Sequence, residues 1–403
     1  MKVQIAFDLN ANGVGDYFTL DDAIKGVLDN ATYKLAGDVL VDITDRVRSV
    51  QVRRGRSTQL EKFTAGNANL VLENRDRAFD PLNASSPYYG SILPGKEVII
   101  EHEGYPIYAG NIADWNFSYE LNGESLAQPS AVDGFAIIAQ QVRTAGTATS
   151  EKTGARVSAV LTEIGWPLAQ RAISVGQATL NADVVGDNVN ALAYLSQVAD
   201  VSEPGAIFVS KTGAMTFRDR ADLQAYTTGI TFGPSGIPFV DISIDYGSEQ
   251  LANSINVTYP NGAIVAGTAT AVDAVSQTRY GVIDKTYVTL LNTLADAQAL
   301  ANWQVALYAE PVYRVNTLSV NLNGITSTQV GEVLDLELGD AVQVSWTPNG
   351  VGSVVTQIVS IDGISHQATP SAHIVTFDLS QTLAAFILDD AIFGILDEGI
   401  LGF

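Results

Sequence analysis

The sequence predicts a mainly β protein with an α/β accessory segment. Three observations predict it. Short alternating or β-branched runs, bounded by Gly, Asn and Pro, fill two blocks at about 40–130 and 245–380. Three of four helical signals fall between those blocks. A twelve-residue apolar segment, "FTLDDAIKGVLD" from Phe18, returns as "FILDDAIFGILD" from Phe386 with nine identities, outside both blocks.

In the first block the strands are "RSVQVRR", "ANLVLEN" and "KEVIIEHEG". In the second they are "SINVTYP", "NTLSVNLNG", "DAVQVSW" and "AHIVTFDLS". The last puts Val375, Phe377 and Leu379 on one face, because side chains alternate along a strand. Between the blocks, "DGFAIIAQQ" from Asp133 reads as a short helix. "TGARVSAVLTEIGWP" aligns Val157, Val160, Leu161 and Ile164 and stops at Gly165 and Pro167. "DNVNALAYLSQVAD" aligns Val189, Leu192, Leu195 and Ala199, with Asp187 or Asn188 as N-cap. "FVSKTGAMTFRD" reads as a hairpin over Lys211–Gly213. The fourth helix, "NTLADAQALANWQVALYAEP", aligns Leu300, Trp303 and Leu307 and ends at Pro311.

Composition removes several function classes. The chain has 403 residues and no cysteine, which excludes disulfides and thiolate chemistry. Only three histidines exist, His102, His366 and His373, and the last two read as ordinary surface or partly buried residues. A net charge of −22 disfavours binding of nucleic acid through phosphates and suits a lumen that a polyanion passes without sticking. No secretory signal opens the sequence, and no run approaches the ~20 apolar residues of a membrane span. The expectation is a soluble chain made in the cytosol, with no stable membrane insertion.

Each local motif has a plain alternative. "GSILPGKE" from Gly90 has the spacing of a phosphate loop, but Glu97 stands where Ser or Thr would hold magnesium, and a strand follows. A turn is the better reading. Asp8, Asn10, Asn12 and Asp16 in "DLNANGVGD" alternate as calcium ligands do, yet Thr19 occupies the bidentate position, and an Asx-rich turn competes. Arg46, Arg48, Arg53, Arg54 and Arg56 form either an anion patch or a set of arginines that meets the many carboxylates. The latter is favoured by the acidic field of the whole chain. Asp389–Asp390 is a carboxylate pair of the kind glycoside hydrolysis uses, but adjacency does not place two acids across a cleft. Trp115, Trp166, Trp303 and Trp346 are scattered, as core or interface residues are.

An ordered series of short motifs resembles the minor tail proteins of long-tailed, non-contractile bacteriophages. It runs Gly55-Arg56, Phe63, Ala65-Gly66, Asn74-Arg75-Asp76-Arg77, Phe79-Asp80-Pro81, Ser86-Pro87-Tyr88, Leu93-Pro94-Gly95-Lys96 and "YPIYAGNIADW" to Trp115. "EPGAIFVSKTGAMTFRDR", "AEPVYRVNTLSVNL", "LELGDAVQVSW" and "ILDDAIFGILD" continue it. The resemblance implies a baseplate or tail-tip hub with two tail-tube-like β-barrel domains in one chain. Three chains would then form a pseudo-hexameric trimer. It implies a virion protein at the distal end of the tail, without catalytic residues or cofactors. Its partners would be a distal tail ring protein, the tape-measure protein and other minor tail or receptor-binding proteins. The implied division is an arm at 1–44, a tube-like domain at 45–132, an accessory domain at 133–244, a second tube-like domain at 245–380 and an arm at 381–403. A tail-associated cell-wall glycan hydrolase and a carbohydrate-binding adhesin are the competing functions.

In such a trimer the repeated segment would occur six times, matching a six-fold partner ring. Phe18, Leu20, Ile24 and Leu28, and their counterparts Phe386, Leu388, Ile392 and Leu396, are the candidate docking residues. Each large side chain contributes ~1.5–3 kcal/mol when fully buried. Ordering a residue costs ~1 kcal/mol or more. One segment alone therefore binds weakly, and tethering decides the outcome. The alternative is that each segment clasps its own chain.

Overall fold

The structure of the protein, a computed structural model, describes residues 1–8, 39–58, 61–121, 123–225, 228–248, 250–261 and 265–382, together with Ala23, Ile24 and Val27. It is mainly β. Before residue 133 come β1 (Lys2–Phe7), β2 (Val39–Asp42), β3 (Val47–Gly55), β4 (Thr64–Glu73), β5 (Glu97–His102), β6 (Tyr105–Tyr119) and β7 (Ser125–Val132). The middle segment holds β8 (Ala206–Val209), β9 (Met215–Arg218) and β10 (Thr231–Phe232). After it come β11 (Asp241–Asp245), β12 (Ser254–Asn261), β13 (Val265–Val272), β14 (Asp284–Val288), β15 (Arg314–Asn321), β16 (Ala341–Trp346), β17 (Val355–Thr369) and β18 (Ala372–Gln381).

Thirteen strands form one sheet in the order β11-β15-β18-β17-β3-β4-β7-β6-β5-β1-β2, with β16 on β17 and β10 on β16. The path has two ends, so among the described residues no barrel closes. The two strand-rich blocks are thus joined by backbone hydrogen bonds. One edge of β17 pairs with β18 over residues 359–369. Its other edge pairs with β16 over residues 355–360 and with β3 over residues 363–368. The change of partner falls at Asp362, where the register with β18 also slips by one residue. Such a bulge bends a strand and re-aims it.

Two glycines permit the crossing. Gly55 has φ +95°, and a Cβ there would lie 2.2 Å from the Asp362 carbonyl oxygen. A Cβ on Gly363 would lie 2.5 Å from Asp378 Oδ2 and 2.6 Å from the Arg56 carbonyl oxygen.

The strands fold where alternation places them. In β18, Val375, Phe377 and Leu379 are all buried. β1 sits between β5 and β2 and buries Val3, Ile5 and Phe7. Phe7 stacks on Tyr88 at 4.4 Å, and Phe79 packs on Trp115 at 6.0 Å. β12, β13 and β14 form a separate sheet under the helix Leu294–Tyr308, which buries Leu300 and Leu307 against Ile255 and Val257.

In the middle segment, Asp133 caps the helix Gly134–Ile138, and Val157, Val160 and Leu161 are buried on Thr153–Glu163. β8 and β9 form the expected hairpin, with Gly213 at φ +86°. One helix start differs from expectation. Val189 and Asn190 pair with Val142 and Arg143, so the helix begins only at Ala191, and the cap is Asn190 rather than Asp187 or Asn188. A helix at Ser327–Asp335 was not foreseen. Its signal is the capping box of Thr326 and Gln329, followed by buried Val330, Val333 and Leu334.

Replacing Gly55 by Ala is expected to destabilise the fold more than replacing Gly95 by Ala. Both have positive φ, worth about 1–3 kcal/mol, but a Cβ at Gly95 meets nothing within 4 Å. Guanidinium unfolding of the two variants measures the difference, which isolates the steric term at the Asp362 crossing.

Candidate functional site

The arginine run from Arg46 to Arg56, on and beside β3, leads up to this crossing, and all five side chains meet carboxylates of the same chain. Arg46 makes a two-pronged pair with Asp76 at 2.9 and 2.7 Å, which holds the Asp76 carboxyl below its usual range. Arg48 bridges Glu73 and Glu124. The other three reach the C-terminal half: Arg53 to Asp378 at 3.0 Å, Arg54 to Glu337 at 2.7 Å and Arg56 to Asp362 at 2.9 Å. The expected union of arginines with the chain's own acids is therefore present, and it consumes the cations of an anion patch.

Arg54 and Glu337 are buried, with side-chain exposures of 2% and 11%. Glu337 also accepts from the Lys211 N–H at 2.9 Å and the Leu338 N–H at 2.9 Å. Burial alone would raise its carboxyl. The Arg54 charge and these amide donors leave it below the usual range. Lys211, at the tip of the β8–β9 hairpin, sends its ammonium to the carbonyls of Leu334 and Asp335 at 2.8 and 2.7 Å. One ion pair thus gathers β3, the middle hairpin and the end of the Ser327–Asp335 helix.

The three histidines converge beside the same pairing, although His366 and His373 were expected as ordinary surface or partly buried residues. His366 of β17 lies opposite Val52 of β3. Its Nδ1 is 3.1 Å from Nε2 of His373 in β18. The His102 ring meets that of His373 edge-on at 4.8 Å. Burial first, then mutual repulsion, pushes His373 down to about 3 and His366 well below the ordinary range. Nothing in the local sequence signals this meeting, since it joins strands far apart in the chain.

A groove of about 420 Å³ lies between Gln197–Ser202, β14 and the Leu294–Tyr308 helix. Val201, Pro204, Tyr287, Val288, Trp303 and Tyr308 form its apolar walls. Asp200 also lines it; burial pushes this carboxyl up to about 7, and its Oδ2 has no hydrogen-bond partner among the described residues. Asp133 is raised to about 6, again by burial, but its oxygens accept from the Gly66 and Phe135 N–H groups as a structural cap. Burial raises Asp378 as well, but it pairs with Arg53, so the three raised carboxyls each have different surroundings.

Of the calcium candidates, Asp8 is described: its N–H donates to Ser91 Oγ at 2.6 Å. Asn10, Asn12 and Asp16 lie outside the described residues, and among the described residues no group of three His, Cys, Asp or Glu is placed to hold a metal. Of the docking candidates, Ile24 is described and exposed. Phe18, Leu20, Leu28, Phe386, Leu388, Ile392 and Leu396 lie outside the described residues. After "GSILPGKE" comes strand β5, so the helix of a phosphate loop is absent there. No described helix is long and apolar enough to cross a membrane.

No family model matches the chain, and no curated protein does. Solved structures do. The 43 kDa tail protein of prophage MuSo2 from Shewanella oneidensis aligns with TM-score 0.58 and 12% identity, over 86% of this chain and 97% of that one. A tail protein from Neisseria meningitidis MC58 aligns with TM-score 0.56 and 12% identity, over 85% and 93%. The E. coli c3393 protein aligns with TM-score 0.50 and 11% identity, over 83% and 73%. It is described as a type VI secretion component structurally similar to the T4 tail proteins gp27 and gp5. The chain has the fold of phage tail proteins.

Arg54→Met leaves Glu337 buried without its cation and is expected to cost about 3–5 kcal/mol. Arg46→Ala breaks an exposed pair and should cost under ~1 kcal/mol. The double variant Arg54→Met, Glu337→Gln removes both charges, keeps an acceptor for the Lys211 N–H, and should recover part of the loss. Denaturant unfolding of the three proteins tests the order.

The histidines set a pH dependence. Their folded pKa values lie below the unfolded value near 6.5, so the unfolded chain binds more protons in the window between. Stability is complete above pH ~6.5 and falls as the pH drops toward ~3. Each group contributes up to ~1.4 kcal/mol per pH unit. Urea midpoints at pH 7 and pH 5 should therefore differ, and His373→Gln should shrink the difference.

Proposed function

We propose that the chain is a structural tail protein and the hub at the distal end of a phage tail. The carrying observation is that two strand-rich halves of one polypeptide stand side by side in a single sheet, joined at β3 and β17, within a tail-protein fold. A chain that presents two tube-like units, 45–132 and 245–380, lets a homotrimer offer six units to a six-fold tail. Residues 133–244 act as the accessory domain, and the arms at 1–44 and 381–403 carry the repeated docking segments. Its neighbours in the virion are the distal tail ring protein, the tape-measure protein and minor tail or receptor-binding proteins. The net charge of −22 supports passage of DNA without adhesion.

The chain acts by assembly, not by catalysis. Electron microscopy of the purified protein, alone and mixed with the tail ring protein, is expected to give rings of three copies with near six-fold outline. A monomer that clears host cell walls in a turbidity assay would contradict the hub reading and support the hydrolase.

A further inference from the structure

The last described residues mark where the C-terminal segment starts its path. Gln381 and Thr382 line a shallow cavity that shares Arg56, Pro204, Leu223 and Trp303 with the 420 Å³ groove, so the two form one continuous depression. Four residues reach at most about 14 Å when extended. The groove is therefore within reach of Phe386, four residues beyond Thr382, and the remainder of "FILDDAIFGILD" follows it in sequence.

The chemistry of groove and segment matches. The groove's apolar walls include three aromatic residues, Tyr287, Trp303 and Tyr308. Three cations, Arg56, Lys62 and Arg220, and three acids, Glu61, Asp200 and Asp362, line the depression, so the match is carried by its apolar walls. The segment offers large apolar side chains interleaved with Asp389, Asp390 and Asp397. A short tether raises the effective concentration of the segment to the millimolar range, which compensates for the weak affinity of one such segment.

We infer that the groove between Gln197–Ser202, β14 and the Leu294–Tyr308 helix is the seat of residues 386–397 of the same chain. The inference rests on the reading of the repeated segment as a docking element, and it assigns the C-terminal copy to a clasp. The N-terminal copy is then the one left to engage a partner.

Hydrogen exchange on the full chain tests it, against a chain ending at Thr382 and a full-length Phe386→Asp, Leu388→Asp variant. Amides of residues 197–204 and 284–308 are expected to exchange at least tenfold faster in both altered proteins. Amides of β3 and β17 serve as an internal reference and should be unchanged. Equal exchange at the groove in all three proteins would overturn the inference, whatever the ring assembly shows.

Because the chain has no cysteine, Glu61→Cys, Asp390→Cys provides a single cross-linking pair. A bismaleimide linker applied to mixed heavy- and light-isotope protein is expected to join residues of one copy. Links of which about half join a heavy to a light copy, the statistical share for pairing between copies, would place the segment in a neighbour's groove and overturn the same-chain assignment. The hub reading is decided separately, by ring formation, and survives either result.

Discussion

The structure depends on the place where β17 leaves β16 and takes up β3. At Asp362 the strand bulges, and residues some 300 positions apart in sequence come into backbone contact. Closing so long a loop is entropically unfavourable, and local interactions cannot specify the register. Three features at one spot do so. Gly55 and Gly363 remove the side chains that would keep the backbones apart. The Arg56 N–H donates to the Asp362 carbonyl at 2.9 Å, and its guanidinium takes the Asp362 carboxylate. Arg54, next but one along the same strand, is buried and finds a carboxylate only if Glu337 arrives. A one-residue slip would strand these charges away from water, and the penalty for an unpaired buried charge is several kcal/mol.

The rest of the architecture follows from that crossing. Glu337 is held by the hairpin tip at Lys211, so the middle segment is fixed to both halves at once. The histidines meet further along the same pairing, where His366 of β17 comes between β3 and β18. Burial lowers the pKa of His366 and His373, and the junction is therefore sensitive to acid. The groove opens on the far side of Arg56, where the described chain ends. Joining and titration are thus neighbours in space, although their residues are spread over most of the sequence.

Legibility follows the range of each interaction. Strands whose faces alternate, such as Val375–Phe377–Leu379, were readable because burial on one face is a local pattern. The hairpin at Lys211–Gly213 was readable for the same reason. The start at Asn190 was misplaced because Val189 belongs to a ladder with a strand 46 residues earlier. The Thr326–Gln329 box was present in the sequence and overlooked beside a β-rich neighbourhood. Which acid each arginine meets, and that three histidines share one site, depends on the β3–β17 register. No run of neighbouring residues encodes that register. The arginine run did reveal its own fate, since so acidic a chain supplies carboxylates for every cation.

The most direct measurement of this account is hydrogen exchange followed through a guanidinium titration, with peptides from residues 47–55 and 355–369 monitored together. If the crossing makes the two halves one cooperative unit, both peptides lose protection at one midpoint and with one denaturant slope. Separate midpoints, with residues 355–369 opening while residues 47–55 stay protected by β4 alone, would contradict it.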